Sequence, residues 1–186
     1  MVKYMNYFIG DIDADCYILE EILSTIEYKS GSSRYALCKT KKGNGSILYG
    51  NTWRSYLKKD KEGNNISRTK DPKNIGKYLS KAQESYPELM DIMEEFRDLY
   101  FPDFKFTHLM LNKNYPVDWH LDAANVGESV IIAVGDFLNG EIEIKKDSDV
   151  LVVNVHNKPY KFNGSKLQHR AGKFTGDRYA VVFFNN

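Results

Sequence analysis

Two cysteines, five prolines and no apolar run approaching a membrane span mark what this 186-residue chain lacks. Cys16 and Cys38 form no CxxC pair, which excludes a disulfide framework and suits a reducing compartment, cytoplasmic or nuclear. No stretch comes near the roughly 18 apolar residues a membrane helix needs, so no membrane span is expected. Residues Met1 to Asp15 carry no apolar core after a basic start, so no signal peptide is read there. No internal repeat or low-complexity tract occurs. A catalytic dyad is also missing, which turns attention to chemistry that a metal supplies.

What is present is a soluble-type composition, 42% hydrophobic and 27% charged, with 13 tyrosines and 10 phenylalanines for a core. That length predicts one domain, a monomer. The net charge of +1 hides an uneven spread. Residues 34–81 hold 13 Lys and Arg against Asp60, Glu62 and Asp71, a net of +10. Such a block is what contact with nucleic acid requires, and it is equally what a solvated lysine-rich insertion looks like.

Periodicity divides the chain. Asp13 or Asp15 is placed to cap a first helix whose apolar positions are Tyr17, Ile18, Leu19, Ile22, Leu23 and Ile26. Residues 43–77 read as loops around one or two short strands, with Trp53 and Tyr56 as aromatic anchors. Pro87 suits the first turn of a second helix, whose face is Leu89, Ile92, Met93, Phe96, Leu99 and Tyr100, and Pro102 stops it. From Phe104 the period becomes two. Strands are expected around residues 104–112, 129–134, 142–145, 150–155 and 178–184. Asn139-Gly140 is a hairpin signal and Asn163-Gly164 a second turn. Helices followed by short antiparallel strands predict an α+β fold. The C-terminal half is expected to form a sheet sandwich or barrel, with a helical and basic-loop part over residues 1–103 packed on it.

Within the strand half stand His120-Leu121-Asp122, then His169, 47 positions after Asp122, then Arg178. In an extended segment residues i and i+2 share a side, so His120 and Asp122 can approach one metal together. Two imidazoles and a carboxylate suit iron(II) with open positions. His108 and His156 fit no such pattern and read as structural. Arg178 has a plain alternative, a salt bridge to Asp177 or Glu141.

The segment FTHLMLNKNYPVDWHLDAANVGESVIIAVGDFLNGEI and the later KFNGSKLQHRAGKFTGDRYAVVFF resemble the two halves of the double-stranded β-helix of iron(II)/2-oxoglutarate dioxygenases. The look is closest to the branch of TET and base J thymine hydroxylases, with AlkB-like enzymes as neighbours. The resemblance covers about residues 104–186 and implies a jelly-roll core there. It implies that His120, Asp122 and His169 bind Fe(II) and that Arg178 binds the far carboxylate of 2-oxoglutarate, with O2 as second co-substrate. Asn112 matches an asparagine that touches 2-oxoglutarate in AlkB-like enzymes. Asn114 stands where those enzymes have tyrosine, and Tyr115 lies one position late. Asn125, with Gly127 and Ser129, follows HxD as in the TET-like branch.

The implied activity is hydroxylation of an unactivated C–H bond. A modified nucleobase in DNA or RNA is the first expectation, with Trp53, Tyr56 and Trp119 available for stacking and residues 34–81 for phosphates. A protein side chain (prolyl, lysyl or asparaginyl) or a small metabolite is the alternative. A non-catalytic or zinc-binding jelly-roll module is a further class, one that has no use for Arg178.

Overall fold

A computed structural model describes residues 6–28, 44–52, 55–59, 61–62, 65–70 and 78–186. Of the basic block, residues 34–43, 53–54, 60, 63–64 and 71–77 lie outside these residues, Trp53 among them, and the side chain of Tyr56 is not described.

Helix α1 spans Ile12–Ser24. Its cap is Asp11, not Asp13 or Asp15: the Asp11 side chain accepts from the Asp13 and Ala14 N–H groups. Asp15 is instead buried inside the first turn, where its carboxylate accepts from the Ile9 and Gly10 N–H groups, both at 2.8 Å, and from the Tyr100 hydroxyl. A carboxylate with three donors is committed to tertiary structure rather than to a cap. A short helix, α2 (Lys81–Ser85), begins at Ser80, whose hydroxyl accepts from Gln83 N–H. The third, α3, spans Leu89–Tyr100 and buries Leu89, Ile92, Met93 and Phe96; Leu99 turns outward, 45% exposed.

Among the described residues the strands are β1 (Gly45–Thr52), β2 (Ser55–Lys59), β3 (Asn65–Lys70), β4 (Tyr78–Leu79), β5 (His108–Lys113), β6 (Ser129–Val134), β7 (Phe137–Asn139), β8 (Ile142–Lys146), β9 (Asp149–Val153), β10 (Tyr160–Phe162), β11 (His169–Ala171), β12 (Phe174–Gly176) and β13 (Tyr179–Phe184). The main sheet has the order β10-β6-β13-β5-β1-β4. A smaller sheet has the order β11-β8-β9, and β12-β7 and β2-β3 form ribbons. All these pairings are antiparallel.

The alternation along β6 and β13 shows how the layers stack. Val130, Ile132 and Val134 join Val181 and Phe183 in a core with α1 and α3. Their neighbours Ile131, Ala133 and Ala180 face the other way, packing with Ile142 and Ile144 of β8. Both faces of the central strands are therefore covered, which is why Ser129–Val134 reads as one continuous apolar run. The molecule is α+β, with helices on one face of a sheet and a second antiparallel sheet on the other.

Among the strands, three expectations change. Residues 43–77, expected as loops around one or two short strands, carry β1, β2 and β3, and β1 lies inside the main sheet with Tyr49 fully buried. Residues 104–107 lie before β5; Phe104 and Phe106 pack on the helix-side core without pairing as strand. Asn139 and Gly140 both have positive φ, 63° and 79°, as the turn signal requires, yet β7 and β8 do not pair with each other. The turn carries the chain from one sheet to another, and the β8–β9 hairpin is closed around Asp147 (φ 55°) instead. β9 sits at the edge of its sheet, with Val150, Leu151 and Val152 43–58% exposed.

Candidate metal centre

His120 and His169 meet through their main chains: each N–H donates to the other's carbonyl, at 3.1 and 3.0 Å. Asp122 is fixed from below by its own N–H, which donates to the Gly164 carbonyl at 2.9 Å. Leu121 is turned away and 45% exposed, as alternation demands. One donor atom from each of His120, Asp122 and His169 comes within 4.8 Å of the others. Both Nε2 atoms stand 3.5 Å from Asp122 oxygens, His120 from Oδ1 and His169 from Oδ2. That is long for a hydrogen bond. Donors bound to one ion at about 2.1 Å and at right angles lie roughly 3 Å apart, so a small inward shift closes the set.

The imidazoles are oriented for the task. His120 Nδ1 lies 2.8 Å from the Asp118 carbonyl and His169 Nδ1 lies 2.9 Å from the Leu167 carbonyl. A carbonyl only accepts, so each Nδ1 carries the proton and each Nε2 of a neutral ring offers its lone pair toward Asp122. Burial alone would raise the Asp122 pKa, but His120 and His169, which become donors and cationic partners once Nε2 takes up a proton, outweigh it and hold the carboxyl well below the usual carboxylate range. For His120 burial pulls downward, and Asp122 with the Asp118 carbonyl overcomes it, leaving the ring above its ordinary value. The donor set and its orientation fit a divalent ion with nitrogen and oxygen preference.

Two further residues support this cluster that the metal motif itself does not point to. Phe162 packs edge-on to His169 at 4.9 Å between centroids. Gly164 lies so close that a Cβ there would meet Asp122 Oδ2 at 3.0 Å and His169 Cε1 at 3.2 Å. The Asn163-Gly164 turn signal points to that position, though for its backbone and not for the space it leaves. Asn125 Nδ2 reaches Asp122 Oδ2 at 3.4 Å and the buried Ser129 Oγ at 3.3 Å.

Triad and Arg178 line one cavity of about 570 Å³ between the two sheets, and Asn112, Tyr115, Trp119 and Asn125 share its wall. Its floor is apolar, including Ile131, Ile142 and Val182, and small at Ala171 and Ala180. Arg178 is 3% exposed, its Nε has no hydrogen-bond partner among the described residues, and its guanidinium sits 5.5 Å from both the Phe137 and Phe174 ring centroids. Burial lowers its pKa to about 10, with Glu141 opposing that from a distance. Neither Asp177 nor Glu141 forms an ion pair with it among the described residues. A buried, unpaired guanidinium is costly, and a carboxylate brought into the cavity would answer it.

Asn114 is placed differently from Asn112. Its Oδ1 accepts from Arg178 N–H at 2.7 Å, its own N–H donates to the Arg178 carbonyl at 2.9 Å, and its Nδ2 donates to Asp177 at 2.7 Å. It clasps the main chain at Arg178. His108 is buried, with its ring nitrogens on the Asn51 carbonyl and the Thr107 hydroxyl, and His156 packs on Phe137 with Nε2 at the Gly135 carbonyl. Both are structural. No helix among the described residues is long and apolar enough to cross a membrane.

No protein-family model matches the chain, and no curated protein matches its sequence. Solved structures do resemble it. NgTET1 in complex with 5mC DNA superposes with a TM-score of 0.53 at 14% identity, over 91% of this chain and 68% of that one. An oxidoreductase of the 2OG-Fe(II) oxygenase family from Burkholderia pseudomallei gives a TM-score of 0.46 at 14% identity, over 92% and 77%. A Pseudomonas putida prolyl-4-hydroxylase gives 0.44 at 11% identity, over 96% and 88%. The chain shares its fold with NgTET1.

Proposed function

We propose that this chain is an iron(II)- and 2-oxoglutarate-dependent dioxygenase on a double-stranded β-helix, hydroxylating a C–H bond of a nucleobase in DNA or RNA. One observation carries the reading: three donor groups and a buried guanidinium without a partner at Nε converge on a single cavity. In this reading His120, Asp122 and His169 hold the iron and leave coordination positions free for co-substrates. Bound iron with 2-oxoglutarate and O2 supplies the oxidising power, which the protein itself lacks. The chain's own work is to bind, orient and exclude water. Arg178 takes the far carboxylate of 2-oxoglutarate in a bidentate, charge-assisted pair, strengthened by its apolar surroundings. Asn112 and Tyr115 bound the co-substrate from the wall, and Asn114 acts through the main chain it clasps. Trp119 and Asn125 stand where substrate would enter.

The whole chain then acts as one dioxygenase domain, a monomer in the cytoplasm or nucleus, where reducing conditions preserve ferrous iron. The nucleobase is supported by the TET-like look of the motifs and by the fold shared with a TET protein solved on DNA. Anaerobic titration with iron and 2-oxoglutarate tests the first half of the reading: a weak visible charge-transfer absorption is expected, and its absence at saturating metal overturns it. Succinate release against methylated DNA and RNA, peptides and small metabolites tests the second half. Turnover on peptides alone would replace the nucleobase.

A further inference from the structure

Next to the cavity the smaller sheet presents a second, outward face. Trp119 adjoins His120, and Arg170 adjoins His169, so alternation turns both away from the triad. Along β8, Ile142 and Ile144 point inward, which leaves Glu143 and Lys145 on the outside. The three cationic and aromatic groups meet there. Lys145 Nζ lies 4.8 Å and Arg170 Cζ 4.7 Å from the Trp119 ring centroid. Trp119 also reaches the cavity wall, so this outer face runs to the mouth of the site. Lys145 is exposed and donates to Gln168 at 2.9 Å; Arg170 is bound to Glu143 Oε2 through Nε at 2.8 Å and a terminal nitrogen at 2.7 Å.

We propose that this strip is a track for single-stranded nucleic acid, with a base stacked at Trp119 and phosphates held by Lys145 and Arg170, so that the neighbouring base is delivered to the cavity. This rests on the nucleobase reading above. An indole with two cations beside it matches a ligand that alternates planar rings with anions. An acidic peptide would use the cations and leave the indole idle. Glu143 acts as a resident competitor: it occupies Arg170 until a phosphate displaces it. The track places Trp119 next to His120 and Arg170 next to His169 along the chain, where a strand presenting a base must bring its phosphates.

The test is binding of a fluorescein-labelled thymidine 12-mer to the iron-loaded protein, followed by anisotropy across a salt series. Log K of the parent falls linearly with log salt. In Lys145→Gln/Arg170→Gln that slope becomes shallower by about one for each phosphate no longer held. Trp119→Ala weakens binding at least about fivefold at fixed salt and leaves the slope alone. Glu143→Gln tightens binding, because it frees Arg170. A structural latch predicts the reverse for Glu143→Gln, which would loosen the cluster. Equal slopes for parent and double variant, weaker binding by Glu143→Gln, or equal competition from a poly-glutamate peptide overturns the track. The visible absorption with iron and 2-oxoglutarate, recorded on the same samples, keeps the two readings apart. If it persists while the slopes are equal, the track alone fails. If it is missing from the parent, the oxygenase reading fails first.

Discussion

His120 and His169 are a hydrogen-bonded antiparallel pair, the main chain of one closing on the main chain of the other at 3.1 and 3.0 Å. The geometry of the candidate centre is therefore set by sheet pairing, before any ion arrives. A one-residue slip would turn His169 to the opposite face.

It follows that removing a donor should empty the site without unfolding the chain. Asp122→Ala is expected to abolish iron binding in equilibrium dialysis while the far-ultraviolet circular dichroism matches the parent. Retained stoichiometric iron would mean that the three groups do not form the site. A collapsed spectrum would mean that Asp122 is structural.

Gly164 is the second test of the same centre. Its φ needs no glycine; the space does, since an added Cβ would press on Asp122 Oδ2 and His169 Cε1. Gly164→Ala should weaken metal affinity by roughly 10–100-fold, the range seen when groups that orient ligands are disturbed. An unchanged dissociation constant would show that Asp122 moves aside freely.

Arg178 separates stability from function. Its guanidinium is buried without an ion-pair partner among the described residues, and burial pulls its pKa down to about 10. A group whose folded pKa is depressed below its unfolded value opposes folding while it is charged, so this cost is present throughout neutral pH and fades as pH rises through 10. Arg178→Met, which keeps the bulk between Phe137 and Phe174, should raise the Tm of the co-substrate-free protein at pH 7. The same variant should raise the 2-oxoglutarate requirement by orders of magnitude. Added 2-oxoglutarate should lift the parent's Tm and not the variant's. A variant that melts lower and titrates normally would return Arg178 to a structural role.

The parts of this molecule legible in sequence are those fixed by periodicity and by side-chain identity. Ser129–Val134 and Tyr179–Phe184 announce themselves because both faces of those strands are apolar. The triad's residues are legible because few side chains bind metal and these stand in order. Illegible are the contacts made by main chain and by absence of atoms: the Asp118 and Leu167 carbonyls that orient the imidazoles, and the void at Gly164. Asn139-Gly140 shows the other limit. Local turn chemistry specifies positive φ at both residues, but which strands pair afterwards is a tertiary matter. Asp15 reads as a cap because Asp near a helix start usually is one; three donors from elsewhere claim it.

That last residue carries a stability prediction. Asp15→Ala strips acceptors from the Ile9 and Gly10 N–H groups and from the Tyr100 hydroxyl, uncoupling the chain before α1 from the end of α3. Hydrogen bonds to a charged group contribute about 1.5–3 kcal/mol each. Even with partial rescue by water a loss of about 3 kcal/mol is expected, lowering Tm by roughly 6 °C or more at this chain length. A shift under about 1 kcal/mol would show that the three donors find other partners.

Ala180 tests whether the cavity is working space or a packing defect. It lies on β13 opposite Asn112 of β5 and Ala133 of β6, is 2% exposed, and lines the cavity. A larger residue in a filled core would cost about 1–3 kcal/mol through overpacking. Here about 570 Å³ stands open, so Ala180→Leu can bury its extra carbons at roughly 0.8 kcal/mol each. The variant should melt above the parent, and metal binding should persist because no triad donor is touched. Co-substrate affinity should fall sharply, since the added branch grows beside Asn112 into the volume assigned to 2-oxoglutarate. The decisive comparison is isothermal titration of both proteins with 2-oxoglutarate under anaerobic iron. Equal affinities would place the co-substrate elsewhere in the cavity, and a lower Tm would show that the space near Ala180 is already filled.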